Sequence, residues 1–188
     1  RFLDGIAGYI IYLAVLVGVM TGLGKHYVTL VVFGIITILR GIAYDYCKLT
    51  MITMIQKGYD GNHKEILDTY LKIIENGSAF LKVYFYYLQL QRLIFCGCFV
   101  SLGKFLKSNK KNYQDHILSS GQREDYRKKN RLLMVVWSWN GVDLPIFFLV
   151  LISFFGVVEA CLLPSACFLA LQFVLTMIYH RAQTRGSS

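Results

Sequence analysis

Cysteine and histidine are scarce in this chain, and their spacing matches no metal or disulfide pattern. Five cysteines and four histidines are spread over 188 residues. They form neither a disulfide framework nor a zinc spacing, so a structural metal site is not indicated. Gly-rich phosphate loops, HExxH patterns and Ser-His-Asp sets are also missing, which excludes the enzyme classes that carry them. The scattered residues are Cys47, Cys96, Cys98, Cys161, Cys167, His26, His63, His116 and His180.

A cleavable signal peptide is missing too, although the chain opens on Arg1 without a methionine. We therefore expect a processed or truncated chain.

Apolar residues are abundant and come in long blocks. They make up 55% of the 188 residues, and the mean hydropathy is +0.48. Four blocks are each near the ~20 residues that cross a bilayer core. The sequence therefore predicts an all-α polytopic membrane helix bundle, a single integral membrane domain over residues 1–188. Its four spanning helices cover about 5–24, 27–44, 132–158 and 160–179.

The basic residues are concentrated in one connection. Residues 45–131 hold fifteen of the twenty Lys and Arg, whereas the turn at 24–26 holds one and the turn at 159–164 holds none. By the positive-inside rule, the connection and both chain ends are predicted to be cytoplasmic. Attraction of the basic residues to an anionic membrane leaflet accounts for the net charge of +9. The lipid bilayer, and not nucleic acid, is therefore the expected partner. The same positive field would attract anionic substrates such as nucleotide diphosphates.

The connection itself has two parts. Residues 63–107 show an amphipathic pattern, broken near Asn76, whose uncharged stretch after Arg92 is too short to span, so we expect an interfacial helix. A fifth span over 79–103 is the alternative. Residues 108–131 are predicted to form a basic cytoplasmic loop.

Asp4 stands at the start of the first apolar block. A carboxylate there is costly unless it faces water, an opposite charge or a cation, which makes it a candidate functional residue. Capping of the first helical turn is the alternative interpretation.

Three stretches resemble one family. Residues 2–8, Phe-Leu-Asp-Gly-Ile-Ala-Gly, resemble the second half of the CDP-alcohol phosphotransferase signature, D-x-x-D-G-x-x-A-R followed by G-x-x-x-D-x-x-x-D, with Asp4 at the third aspartate. Residues 40–48 and 130–141 are similar to the cytoplasmic end of the fourth helix and the start of the fifth. The resemblance covers nearly the whole chain. It implies that the four spans are helices three to six of a six-helix fold, with the first two missing.

The resemblance implies a membrane transferase of phospholipid biosynthesis. Such an enzyme moves a phospho-alcohol or phosphatidyl group from a CDP-linked donor to an acceptor hydroxyl and releases CMP. Asp4 would be a ligand of Mg²⁺ or Mn²⁺, with the other metal ligands on the missing helices. Gly8 occupies the position of the catalytic base, so this chain alone is predicted to be inactive and the metal is expected only in a complete protein. A homodimer is a further expectation.

Four other residues are candidates for substrate binding. Arg40, Lys48 and Arg131 lie at helix ends that the family places around its active-site cavity, where one or more of them would bind a substrate phosphate. A solvated or lipid-facing role is the alternative. Asp143 lies within an apolar block interrupted by Pro145. It would line a pocket or, alternatively, make an interhelical hydrogen bond to a polar group of the last helix such as Thr176 or Gln172.

Two other functions stay open. One is a degenerate, non-catalytic relative that serves as a membrane scaffold or binding subunit. The other is a small unrelated transporter in which Asp4 and Asp143 line a polar cavity.

Overall fold

The computed structural model describes residues 2–97 and 117–185, with side chains for 7–97 and 117–183. Within these ranges all regular structure is helical, as predicted. The helices are α1 (Phe2–Leu23), α2 (Tyr27–Lys57), α3 (Gly61–Asn76), α4 (Ala79–Cys96), α5 (Ser120–Ser138), α6 (Asp143–Phe154) and α7 (Val158–Arg185).

Three helical stretches of the described chain are long and apolar enough to cross a bilayer. They cover Tyr27–Lys57, Ser120–Phe154 and Val158–Gln183. A shorter apolar helix covers Ala7–Leu23. In length and composition, these helices are compatible with a membrane protein.

The chain divides into two compact units, and we describe each separately. The first unit contains residues 1–44 and 135–188. Its core is built from α1, the first part of α2, α6 and α7, with α6 packed against α7. The buried residues of this apolar cluster are Tyr12, Leu16, Leu30, Phe33, Leu149, Ile152, Val158, Leu162, Ala166 and Leu169.

The predicted span over 132–158 is interrupted in the first unit. Helix α5 ends at Ser138, residues 139–142 form a turn, and α6 starts at Asp143. Pro145 lies in the first turn of α6, where its missing N–H would have no helical partner in any case. A continuous helix would instead place the proline ring against the Gly141 carbonyl, so the break falls just before α6.

The second unit contains residues 45–134. The segment predicted as one interfacial helix over 63–107 is two helices here, α3 and α4, which pack on each other around Ile66 and Leu88. Gly77 separates them with a left-handed φ of 60°, and its N–H donates to the Ile73 carbonyl. Glycine adopts this conformation without strain, so the chain can reverse at this point.

The predicted basic loop over 108–131 is partly helical. Residues 98–116 lie outside the described residues, but α5 begins at Ser120. The Ser119 N–H donates to Gln122 Oε1 (2.9 Å), and the Gln122 N–H donates to Ser119 Oγ (3.4 Å). This reciprocal pair is a capping box, which satisfies amide groups at the helix start and fixes where α5 begins.

Candidate functional site

Arg40 is the most unusual residue of the first unit. It lies in the apolar helix α2, and its relative exposure is 0%. Burial of a guanidinium among membrane-length helices is costly unless hydrogen bonds and opposing charge compensate it. Arg40 is therefore a candidate functional residue.

Neutral acceptors surround the Arg40 guanidinium. Its Nε donates to Asn140 Oδ1 over 3.2 Å. Its Nη2 donates to the Trp139 carbonyl over 2.8 Å and to Gln172 Oε1 over 2.6 Å. These residues come from α2, from the turn between α5 and α6, and from α7. We call Arg40, Trp139, Asn140, Gln172 and Thr176 the arginine centre.

The break between α5 and α6 creates the acceptor for Arg40. Trp139 directly follows the last residue of α5, Ser138, so its carbonyl belongs to the group that a helix end leaves without intrahelical partners. The C-terminal end of a helix also carries a partial negative charge of about half an electron. The guanidinium of Arg40 therefore donates to a carbonyl that has no intrahelical partner, in a region of partial negative charge, and its partners among the described residues are neutral.

Asn140 connects the arginine centre to the last helix. Its Nδ2 donates to Thr176 Oγ1 over 3.1 Å and to the Val136 carbonyl over 3.3 Å. The Thr176 hydroxyl donates to the Gln172 carbonyl over 2.8 Å, and Gln172 Nε2 donates to the Trp139 carbonyl over 3.3 Å. The side chains are thus bonded to one another as well as to Arg40, which holds the guanidinium in one orientation.

Gly41 allows the backbone of α2 to come close to the broken helix. A Cβ atom at this position would lie 2.8 Å from Val142 Cγ2 and 3.1 Å from the Tyr9 hydroxyl oxygen. Both distances are shorter than normal carbon contacts. A glycine next to Arg40 is therefore what lets the turn after α5 reach the guanidinium.

One nitrogen of the Arg40 guanidinium lacks a hydrogen-bond partner among the described residues. Within the described part of the chain, Arg40 Nη1 is buried and has no hydrogen-bond partner. The hydrogen bonds described for Arg40 all go to neutral oxygens. A buried donor without a partner on a charged group is costly, and an anion is the ligand that would relieve that cost.

Of the other predicted site residues, Asp143 does not join the arginine centre. Lys48 and Arg131 are exposed and belong to the second unit. Asp143 is exposed at the first position of α6, and it is Asn140 that donates to Thr176. Asp4 lies in α1, but its side chain is outside the described residues. Gly8 is half-buried in α1, and a Cβ there would meet no atom within 4 Å.

The donor set does not make a complete metal site. Among the described side chains, no group of three His, Cys, Asp or Glu residues could hold a metal ion. Asp4 alone would add one carboxylate, and Mg²⁺ is held by carboxylates together with substrate phosphates and waters. The described residues therefore do not fit a bound divalent cation, and we derive no chemical step from one.

Comparison of the chain with family models, with curated proteins and with solved structures gives no match.

Proposed function

We propose that this chain belongs to a membrane CDP-alcohol phosphotransferase of phospholipid biosynthesis, in which Arg40 binds a phosphate group of the donor or the acceptor. The observation that carries the proposal is the buried guanidinium with neutral partners and an unpaired Nη1. It adds a positive site to a chain whose residues 2–8, 40–48 and 130–141 resemble that family. In this proposal the four apolar segments span the membrane, and residues 45–131 and the chain ends are cytoplasmic.

The proposed reaction transfers a phosphoryl-linked group. The oxygen of an acceptor hydroxyl forms a new bond to phosphorus, the bond between that phosphorus and the bridging oxygen of the CDP donor breaks, and CMP leaves with the bond electrons. The hydroxyl proton is lost to a base. Gly8 stands where the resemblance places that base, so we assign no residue to it. Arg40 would neutralise phosphate charge and orient the group, as a rigid guanidinium does well.

A divalent cation is part of this proposal only in a protein that supplies further ligands. Asp4 is the residue of this chain that would contribute, and the metal would offset the diphosphate charge. Codons for D-x-x-D-G-x-x-A-R upstream of Arg1 would support the assignment, and their absence from the gene would argue against it.

The test is CMP release from a CDP-linked lipid by the longest natural form of the protein in liposomes. We expect Arg40→Ala to raise KM for the phosphorylated substrate about 10- to 100-fold, because hydrogen bonds to charged groups contribute about 1.5–3 kcal/mol. Thr37→Val is the matched control, since it changes another buried polar residue of α2 that lies outside the arginine centre and leaves the charge. We expect it to leave KM unchanged.

Equal effects of the two variants on KM would remove Arg40 from the substrate site and leave it a structural role. No CMP release with any CDP-linked donor would favour the second candidate, a non-catalytic scaffold or binding subunit. The incomplete donor set of the described residues is the observation that favours that candidate.

A further inference from the structure

Helix α4 of the second unit exposes an apolar face. Val83, Tyr86 and Leu90 are 61%, 72% and 42% exposed, and they follow one another at the spacing that places residues on one side of a helix. Ala79, one turn before Val83, is exposed as well. A contiguous apolar face of this kind is unusual on a water-facing helix and marks a contact surface.

Away from this face, α4 buries apolar and polar side chains. Leu88 packs with Ile66 of α3, and Gln89 and Gln91 are only 6% and 3% exposed. Gln91 Nε2 donates to the Tyr87 hydroxyl over 2.9 Å, and the Tyr84 hydroxyl donates to Glu65. Burial of two amides while large apolar side chains stay exposed is unusual for a helix that faces water. The exposed face is therefore suited to an apolar environment.

The charge of α4 has one sign. Residues 79–96 contain Lys82 and Arg92 and no acidic residue. Lys82 is exposed beside the apolar face. Helix α3 carries the acidic residues of the hairpin, among them Asp68 and Glu75, which are exposed. The two helices thus differ in charge. Helix α3 exposes acidic side chains beside Leu71 and Ile74, whereas the exposed apolar face of α4 has a basic edge.

These features single out one partner. Anionic lipid surfaces attract basic side chains by about 1 kcal/mol each and accept apolar side chains between their head groups. The second unit is joined covalently to membrane-length helices at both ends, which keeps it near the bilayer. Helix α4 itself is not among the described stretches long and apolar enough to cross.

We propose that α4 lies flat in the interface of an anionic bilayer through Ala79, Val83, Tyr86 and Leu90, with Lys82 at the head groups and α3 toward water. This inference concerns the second unit, and it holds whether or not the chain is a transferase.

The experiment is site-directed spin labelling of the full chain in nanodiscs of phosphatidylcholine and phosphatidylglycerol. A cysteine-free background carries Ala79→Cys, Val83→Cys, Leu90→Cys or the α3 control Asp68→Cys. We expect labels on α4 to collide more with oxygen, which partitions into lipid, than with a water-soluble nickel chelate. The label at 68 should show the opposite order. Positions 79 and 90 should lie at similar depths.

Three results would overturn the proposal. Greater collision with the nickel chelate at 83 and 90 would show that the face is in water. Low collision with both probes would show that protein covers it. A depth difference between positions 79 and 90 approaching ~16 Å, the axial rise of that helical segment, would show a spanning helix instead.

A second measurement needs no substitution. The unmodified chain is irradiated in vesicles that contain a lipid with a photoreactive acyl chain, and adducts are mapped by mass spectrometry. We expect adducts on peptides of α4 and none on peptides of α3. Adducts confined to the long apolar helices would contradict the proposal even if the cysteine-free background failed to fold.

Discussion

The buried guanidinium of Arg40 is held by neutral oxygens among the described residues. Its partners are a helix-end carbonyl and two side-chain amide oxygens. Together they satisfy Nε and Nη2 and provide a partial negative charge. None of these three partners carries a full negative charge. This is the physical reason for the proposal that Arg40 binds a phosphate group.

Substitution of Gly41 tests whether the stability of the fold depends on the close approach of α2 to the turn after α5. We expect Gly41→Ala to lower the free energy of unfolding by about 1–3 kcal/mol, because the added methyl group would overlap Val142 and the Tyr9 hydroxyl. Thermal unfolding in detergent measures this. Gly22→Ala in α1 is the matched control, because a Cβ there meets nothing within 4 Å. Equal stability of the two variants would contradict the packing argument.

The sequence predicted part of this centre. Arg40 is a candidate in the sequence because the family resemblance places its helix end around the active-site cavity. Its partners are not assigned there, and Thr176 and Gln172 are considered only as partners of Asp143. Either Asn140 or Asp143 could face the last helix, depending on the residue at which α5 ends. The sequence pattern does not define that helix end to within a residue or two.

At the scale of elements, helix ends are set by a few specific hydrogen bonds. Asp60 accepts from the Asn62 N–H (3.0 Å) and from the Thr50 hydroxyl (3.1 Å), and so fixes the start of α3. Ser78 occupies the same position before α4, but its side chain makes no capping hydrogen bond. The two helices of the hairpin therefore start in different ways.

This difference predicts unequal effects of two similar substitutions. We expect Asp60→Ala to lower the free energy of unfolding by about 1 kcal/mol or more, since a cap and a bond to Thr50 are both lost. Ser78→Ala should change it by less than about 0.5 kcal/mol, as surface substitutions usually do. Chemical unfolding followed by circular dichroism provides the comparison. A larger loss for Ser78→Ala would show that the cap assignment is reversed.

Elements were predictable where length and composition determine them. Blocks of about 20 apolar residues indicate membrane-length helices directly, and three such stretches are present. The reversal at Gly77 was visible as a local break, but the tight packing of α3 on α4 was not, because it depends on contacts between residues distant in sequence. The capping box of Ser119 and Gln122 is a readable signal that was overlooked in a stretch chosen as a loop for its charge.

At the scale of the whole molecule, an ion pair brings two turns of the first unit together. Lys25 Nζ, in the turn between α1 and α2, lies 2.7 Å from Glu159 Oε2, in the first turn of α7. Both side chains are about half exposed, so the pair adds little stability. The ion pair shows that the two short turns lie at the same end of the first unit.

The distribution of basic residues predicts which side of the membrane each segment faces, and this prediction can be tested directly. With residues 45–131 cytoplasmic, an impermeant thiol reagent applied to intact cells should label Lys25→Cys and leave Asp125→Cys unmodified, in a background free of other reactive cysteines. Both positions are exposed, so burial does not explain a difference. Permeabilised cells provide the control, where both variants should react. Labelling of Asp125→Cys but not Lys25→Cys in intact cells would reverse the orientation, and Asp4 would then face the outside of the cell, where a cytoplasmic CDP-linked donor cannot reach it.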